Sequence, residues 1–416
     1  MLETITIKEY DKLYIKPSRD LAKHIISEND ARHLQSVVID NNPVFSFGNR
    51  CLIAQQFVGI IQLPEYSIEI LPKLYGEVST EDLRKVLVRM LMVSHQTSAI
   101  RNFHSSVSMA SNSLVEMLIE TFLRELELYI YSGLQNDYVK KTSNLDKIKG
   151  RILIHKQLNK NLITPTRFYC SYSSYELNNP LNQFFKKCLE EMLFISRDYH
   201  NRKKIEEFLP WFSNVETVTR DAALSFNIVF SSINIRAKES YIFGKMFLEG
   251  LRSTLSSGIN MIYTMLFDMN ELYELFVYRV MRILFGNRVV YQRRSAYMLQ
   301  RNDTGRKHIN LRPDIVVKAN DDSFLVIDTK WKLPNKFVQE SDAYQMYAYS
   351  TVIEGVKNVI LLYPKTVNTD SFAGYYTFLS AACPSRSLEI HTIDVMKCLN
   401  WTSFLNEMRD KFEKII

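Results

Sequence analysis

Long apolar runs are missing from this sequence. No stretch approaches the roughly 18 consecutive apolar residues needed to cross a bilayer. The opening MLETITIKEYDK has no apolar segment of the kind that heads a secretory signal. We therefore expect a cytoplasmic, soluble protein with no membrane partner. Cysteine is scarce too: Cys51, Cys170, Cys188, Cys383 and Cys398 are odd in number, widely spaced and form no CxxC pair. That pattern argues against a disulfide framework and a thiolate zinc site, and for reduced thiols. The GxxxxGK[ST] phosphate loop is absent as well. Its nearest fragment, Phe243-Gly244-Lys245-Met246, lacks both the spacing and the hydroxyl residue. No nucleotide is expected to bind this chain alone.

What is present is enough chain for two or three domains, 416 residues of which 46% are hydrophobic. The net charge of +7 and pI near 8.9 suit a polyanionic partner. Three sections follow from the patterning. Residues 1–105 begin β-rich: Ile5 and Ile7 alternate with polar neighbours, and strand-like runs occur at Ser36 to Asp40, Cys51 to Ala54, Val58 to Gln62 and Tyr66 to Leu71. A small twisted sheet or partial barrel is predicted there, a module that binds a partner and does no chemistry. Helical period takes over from Thr80, with Leu83, Val86, Leu87, Met90 and Leu91 on one face. Residues 106–260 read as mainly helical. One helix is capped by Asn112 or Ser113 and ended by Gly133, and others lie near Pro180 to Ser196 and Lys203 to Trp211. A basic, asparagine-rich stretch with a strand at Arg151 to Ile154 lies between them. Residues 261–416 alternate helix and strand, which predicts an α/β domain with a mixed sheet. Its first helix, Met269 to Phe285, is bounded by Asp268 and Gly286, with Asp268 and Glu271 placed as a capping box.

The most informative stretch is Leu311 to Lys332. Two β-like runs, Ile315 to Val317 and Phe324 to Ile327, flank a polar turn at Asn320 to Ser323, with Asp314 opening the first run and Asp328 closing the second. Lys330 lies two residues past Asp328, so strand alternation puts both on one face. Two carboxylates gathered beside an amine suit Mg²⁺, with Mn²⁺ an alternative, because such an ion takes a few carboxylates and keeps other positions for water and phosphate oxygens. Asp328 also follows a run that looks buried, where a carboxylate without a partner is costly. The spacing Pro313-Asp314, thirteen residues, Asp328-Thr329-Lys330 resembles the PD-(D/E)xK (restriction-endonuclease-like) nuclease core. That chemistry makes Asp314 and Asp328 metal ligands, the Thr329 carbonyl a third, and Lys330 the group that handles the attacking water and the phosphate charge.

Glu274, left without a local structural job on the preceding helix, is a further candidate for the metal or its water. Gln345 and Tyr349, four apart and so on one helix face, match the QxxxY pair that accompanies many such nucleases. Between the first helix and the hairpin, Arg293, Arg294, Arg301, Arg306, Lys307 and Arg312 form a basic ribbon that could track a DNA backbone.

Taken together, these residues resemble the McrC family, nuclease subunits of the McrBC type IV restriction system for methylated DNA. Gly59, Ile68 to Lys73, Gly133, Lys149-Gly150-Arg151, Leu181-Asn182, Phe267 to Glu274, Arg312-Pro313-Asp314 and Asp328 to Lys332 carry the likeness. The resemblance implies a multidomain α+β chain with a β-rich partner-binding module, a helical middle and a C-terminal nuclease domain. It also implies a division of labour, in which a McrB-like AAA+ GTPase hexamer recognises modified double-stranded DNA and translocates, while this chain binds the ring, stimulates GTP hydrolysis and cuts. Two other functions fit the same residues: a non-catalytic activator or scaffold of an AAA+ ring, and a stand-alone DNA repair nuclease.

Overall fold

The computed structural model describes residues 3–74, 78–95, 113–163, 166–255, 261–292, 296–319, 323–332, 338–365, 371–379 and 386–415. Asn112, Arg293, Arg294, Asn320 to Asp322 and Cys383, all singled out in the sequence, lie outside the described residues. The other four cysteines are free and buried. No helix among the described residues is long and apolar enough to cross a membrane. The chain divides into two compact units, one of Met1–Leu114 with Leu251–Ile416 and one of Val115–Gly250.

The first unit holds two large sheets. One has five strands in the order Glu3–Lys8, Tyr66–Leu71, Phe57–Gln62, Met261–Asp268, Leu251–Leu255, with the first pair parallel and the rest antiparallel. Tyr66–Leu71 is buried along its whole length and Phe57–Gln62 at every position but the last, so each needs hydrogen-bonded neighbours on both edges. Chain from beyond residue 250 supplies the missing edge. Met261–Asp268, at the start of the predicted third section, thus completes the N-terminal sheet. Gly59 permits the approach: its φ is +136°, and a Cβ there would lie 2.0 Å from the Met265 carbonyl oxygen.

A four-stranded sheet, Ile25–Ile26, Lys12–Ile15, Cys51–Ala54 and Phe45–Gly48, packs its apolar side into the same core. The strand predicted over Ser36 to Asp40 shrinks to Val38–Ile39, because Asp40 and Asn41 both take positive φ and turn the chain back onto Asn42–Pro43. Helix Glu28–Gln35, capped by the Ser27 hydroxyl on the Asp30 amide, lies in a stretch where the sequence predicts no element. Helix Thr80–Ser94 packs on helix Met269–Phe285, where Arg279 Nε donates to the Ser94 carbonyl. The capping box at the latter is half made: the Asp268 side chain accepts from the Asn270 amide.

The second sheet has six strands in the order Val289–Tyr291, Ile315–Lys318, Phe324–Thr329, Val356–Pro364, Ser387–Ile393, Gly374–Thr377. Ile315–Lys318 and Phe324–Thr329 form the predicted antiparallel hairpin. Phe324–Thr329 then runs parallel to Val356–Pro364 through the crossover helix Glu340–Val352. The sheet is mixed, as expected of the third section.

In the second unit, helices Leu114–Tyr131, Pro180–Ile195, Tyr199–Phe208 and Lys238–Gly250 accompany a three-stranded sheet. Gly244 allows close helix packing, since a Cβ would lie 2.8 Å from Cys188 Sγ. The strand expected over Arg151 to Ile154 stops at Ile152, and Ile154 begins a short helix.

Candidate active site

The hairpin register pairs Ile315 with Ile327 and so brings the ends carrying Asp314 and Asp328 together. Thr329 ties them. Its amide and its hydroxyl both donate to Asp314 Oδ2, at 2.8 and 3.0 Å. Asp328 is fully buried, and Lys330 Nζ lies 2.5 Å from its Oδ2. That contact is an ion pair by distance, yet neither Asp328 oxygen receives an aligned hydrogen bond among the described residues. Burial first, then the Asp314 carboxylate, push the Asp328 pKa up, against the pull of Lys330. Burial raises Asp314 as well, opposed by the Thr329 amide. For Lys330 burial acts downward, but Asp328 and Asp314 outweigh it and hold the ammonium above its usual range.

The crossover helix presents the next two residues. Lys330 Nζ donates to Gln345 Oε1 at 3.0 Å, Gln345 Nε2 donates to the Tyr349 hydroxyl at 2.8 Å, and that hydroxyl donates to the Arg312 carbonyl at 3.1 Å. The i, i+4 pair therefore orients the lysine from above and pins the chain that enters Asp314.

Glu274 joins from the preceding helix. Its Oε1 accepts from Gln292 Nε2 at 2.6 Å, and the Arg312 guanidinium donates to Gln292 Oε1. Burial, then the Asp314 charge, raise the Glu274 pKa. The structure thus brings Glu274, Asp314, Asp328, Thr329, Lys330, Gln345 and Tyr349 into one connected network. Among the described residues, no three His, Cys, Asp or Glu side chains converge as ready ion ligands. What the network offers a cation is a pair of carboxylates, one of them buried with no aligned donor. That hard-oxygen set fits Mg²⁺, which retains water in most of its positions.

A family model described as McrBC 5-methylcytosine restriction system component matches residues 52–364. The chain belongs to this family. Among solved structures, it is similar to a refined half-complex from a tetradecameric assembly of Thermococcus gammatolerans McrB AAA+ hexamers with bound McrC. The TM-score is 0.63 at 18% identity, over 97% of this chain and 100% of that one. A cryo-EM structure of the Thermococcus gammatolerans McrBC complex also matches, at 18% identity and TM-score 0.47, over 67% of this chain and 87% of that one. Comparison with curated proteins gives no match.

Three residues of this family member's network escaped the sequence patterns. Gln292, in the left-handed region at φ +44°, bridges Glu274 and Arg312, and its amide donates to the Asp314 carbonyl at 2.8 Å. A lone glutamine after a short strand carries no signal. Asp342 is buried, accepting from Lys332 Nζ at 3.1 Å and from the Tyr363 hydroxyl at 3.3 Å. Its position three residues before Gln345, on the same helix face, is the signal that could have found it and its partner Lys332. Of the basic ribbon, Arg301, Arg306 and Lys307 lie on the two-stranded hairpin Ala296–Gln300 with Lys307–Leu311, exposed from 301 to 310, in which Arg301 pairs with Asp303 at 2.7 Å.

Proposed function

We propose that this chain is the endonuclease subunit of its restriction system, a Mg²⁺-dependent DNA phosphodiesterase that works with a McrB-like AAA+ GTPase ring. The observation that carries the proposal is the Asp314–Asp328–Lys330 cluster, with a carboxylate buried at the end of a central strand and no aligned donor for it. A fully buried carboxylate held by one ammonium and facing a second carboxylate is too costly to keep without a role. Membership of the McrBC family supports the biological setting. The AAA+ partner is carried over from the structural relative, in which McrC is bound to McrB AAA+ hexamers.

In this scheme Asp314, Asp328 and the Thr329 carbonyl would hold Mg²⁺, with Glu274 beside its water, and the ion would supply charge neutralisation on the non-bridging phosphate oxygens. Lys330, steered by Gln345, aligns the attacking water and faces the scissile phosphate. Arg312 binds phosphate next to the hairpin. Arg306 and Lys307 contact the DNA backbone farther along the ribbon, and Arg293 and Arg294 precede it. Choice of a methylated site belongs to the ring, which leaves this chain the cutting and the stimulation of GTP hydrolysis.

The test is Asp328→Ala in the complex reconstituted with the GTPase, methylated DNA, GTP and Mg²⁺. Cleavage should fall by at least about 10³-fold, as for the loss of a principal charge-stabilising group. Ring binding and GTPase stimulation should persist. Cleavage at the wild-type rate would remove Asp328, and with it this site, from the reaction.

A further inference from the structure

Trp331, the residue after Lys330, reaches a buried acid that the carboxylate cluster does not use. Glu9 follows the first strand of the N-terminal sheet and has no solvent exposure. Its Oε1 and Oε2 accept from Trp331 Nε1 at 3.2 and 3.0 Å, and Oε2 also accepts from the Lys73 amide at 3.0 Å. Glu9 is itself held in place, its amide donating to the Leu71 carbonyl at 3.1 Å. Trp331 is the residue after Lys330, and its ring packs on Tyr273 with centroids 5.2 Å apart. Tyr273 is the residue before Glu274 and is fully buried.

A buried indole N–H can be satisfied by a neutral main-chain carbonyl at little cost, whereas a buried carboxyl is an expensive acceptor. It is also a rigid one, since two oxygens gripping one N–H fix the ring in plane and depth. The same contact therefore reaches both sides of the cluster: the strand end bearing Thr329 and Lys330, and the helical turn bearing Glu274.

We infer that Glu9 is a positioning residue of the active site, setting the placement of Lys330 and Glu274 through Trp331 and Tyr273. The inference rests on the nuclease reading above. It makes the N-terminal sheet part of the catalytic apparatus. A displacement of that sheet, such as a bound partner could impose, reaches the cutting residues through one hydrogen-bonded side chain. Misplacement of a reacting group by about 1 Å costs roughly 100-fold in rate, so a small movement is enough to switch cutting.

The experiment uses the full chain in the reconstituted complex and compares Glu9→Leu, Glu9→Gln and Trp331→Phe with Asp328→Ala. Glu9→Leu should lower the cleavage rate by at least roughly 10-fold, the equivalent of one buried charge-assisted hydrogen bond, mainly in kcat. Glu9→Gln keeps an amide oxygen for Trp331 and Lys73 and should restore most of the rate. Calorimetric titration of Mg²⁺ into the chain alone gives a readout apart from activity: affinity should fall in Glu9→Leu and recover in Glu9→Gln. Should Glu9→Leu fail to fold, Trp331→Phe, which keeps a ring and deletes the donor, should show the same fall in rate and in Mg²⁺ affinity. If Asp328→Ala is inactive while Glu9→Leu, or Trp331→Phe in its place, cuts and binds Mg²⁺ like wild type, the positioning role is overturned. If Asp328→Ala cuts normally, it is the nuclease reading that fails.

Discussion

A single buried carboxyl gives the first unit a pH dependence that can be worked out. Burial raises the Glu9 pKa from 4.5 to about 7; the Asp268 carboxylate adds to the rise, while the Lys73 amide, the Trp331 indole and the Lys73 charge oppose it. Between those two values the folded chain binds a proton that the unfolded chain has lost, so stability falls as pH climbs through that window and levels off above it. The shift is worth on the order of 3 kcal/mol. Glu9→Gln should remove this residue's share of the slope, to which the raised Asp328, Asp314 and Glu274 also contribute, and melt a few degrees above wild type at pH 8 and alongside it near pH 4. Equal melting temperatures at both pH values would show that the Glu9 pKa is no higher in the folded chain than in the unfolded one. Nothing in the sequence around Glu9, IKEYDKLY, marks it as buried. A carboxyl followed by Tyr10 and Asp11 has the pattern of a solvated turn, and its partner is 322 residues away.

Elements defined by local chemistry were legible. Asp268 and Gly286 bound helix Met269–Phe285 at the predicted positions. Alternation and flanking acids gave the motif hairpin, and the i, i+4 spacing of Gln345 and Tyr349 gave a shared face that the hydrogen bonds use. The long pair Asp137–Leu145 and Phe168–Glu176 is not predicted as strands, because both are partly exposed along their length and have little apolar alternation to read. Exposure also defines the ribbon Ala296–Gln300 and Lys307–Leu311, whose stretch from 301 to 310 is exposed throughout. Arg301 is paired with Asp303, and Arg306 and Lys307 are the ribbon cations that the proposed function sets against the DNA backbone. Replacing both by alanine should weaken DNA binding similarly for methylated and unmethylated duplexes and lower the log–log salt slope by about 2. An unchanged slope in a filter-binding or anisotropy titration would place the phosphate contacts elsewhere.

At the scale of the chain, the compact unit that carries the site is assembled from both ends of the sequence. Contiguous sections are the natural prediction, since periodicity reports only near neighbours and pairing between strands so far apart in sequence leaves no local trace. Met261–Asp268 pairs with Phe57–Gln62, and Trp331 finds its acceptor on Glu9. A fragment starting at residue 261 should therefore fail to give a cooperative thermal transition, having lost a sheet partner and the acceptor for a buried indole. Supplying residues 1–114 in trans should restore part of it. A sharp transition from the fragment alone would show that the six-stranded sheet folds independently of the N-terminal one.

The long separation of Glu9 and Trp331 also bears on when the site comes into being during synthesis. At ribosomal rates of about 5–20 residues per second, the carboxyl waits roughly 16–64 s before its indole partner is made. Every chain shorter than 331 residues has Glu9 without that partner. The residues around Asp328 and Lys330 can be locked in place only after residue 331 has been made, so a chain stalled before that point lacks the contact that holds them.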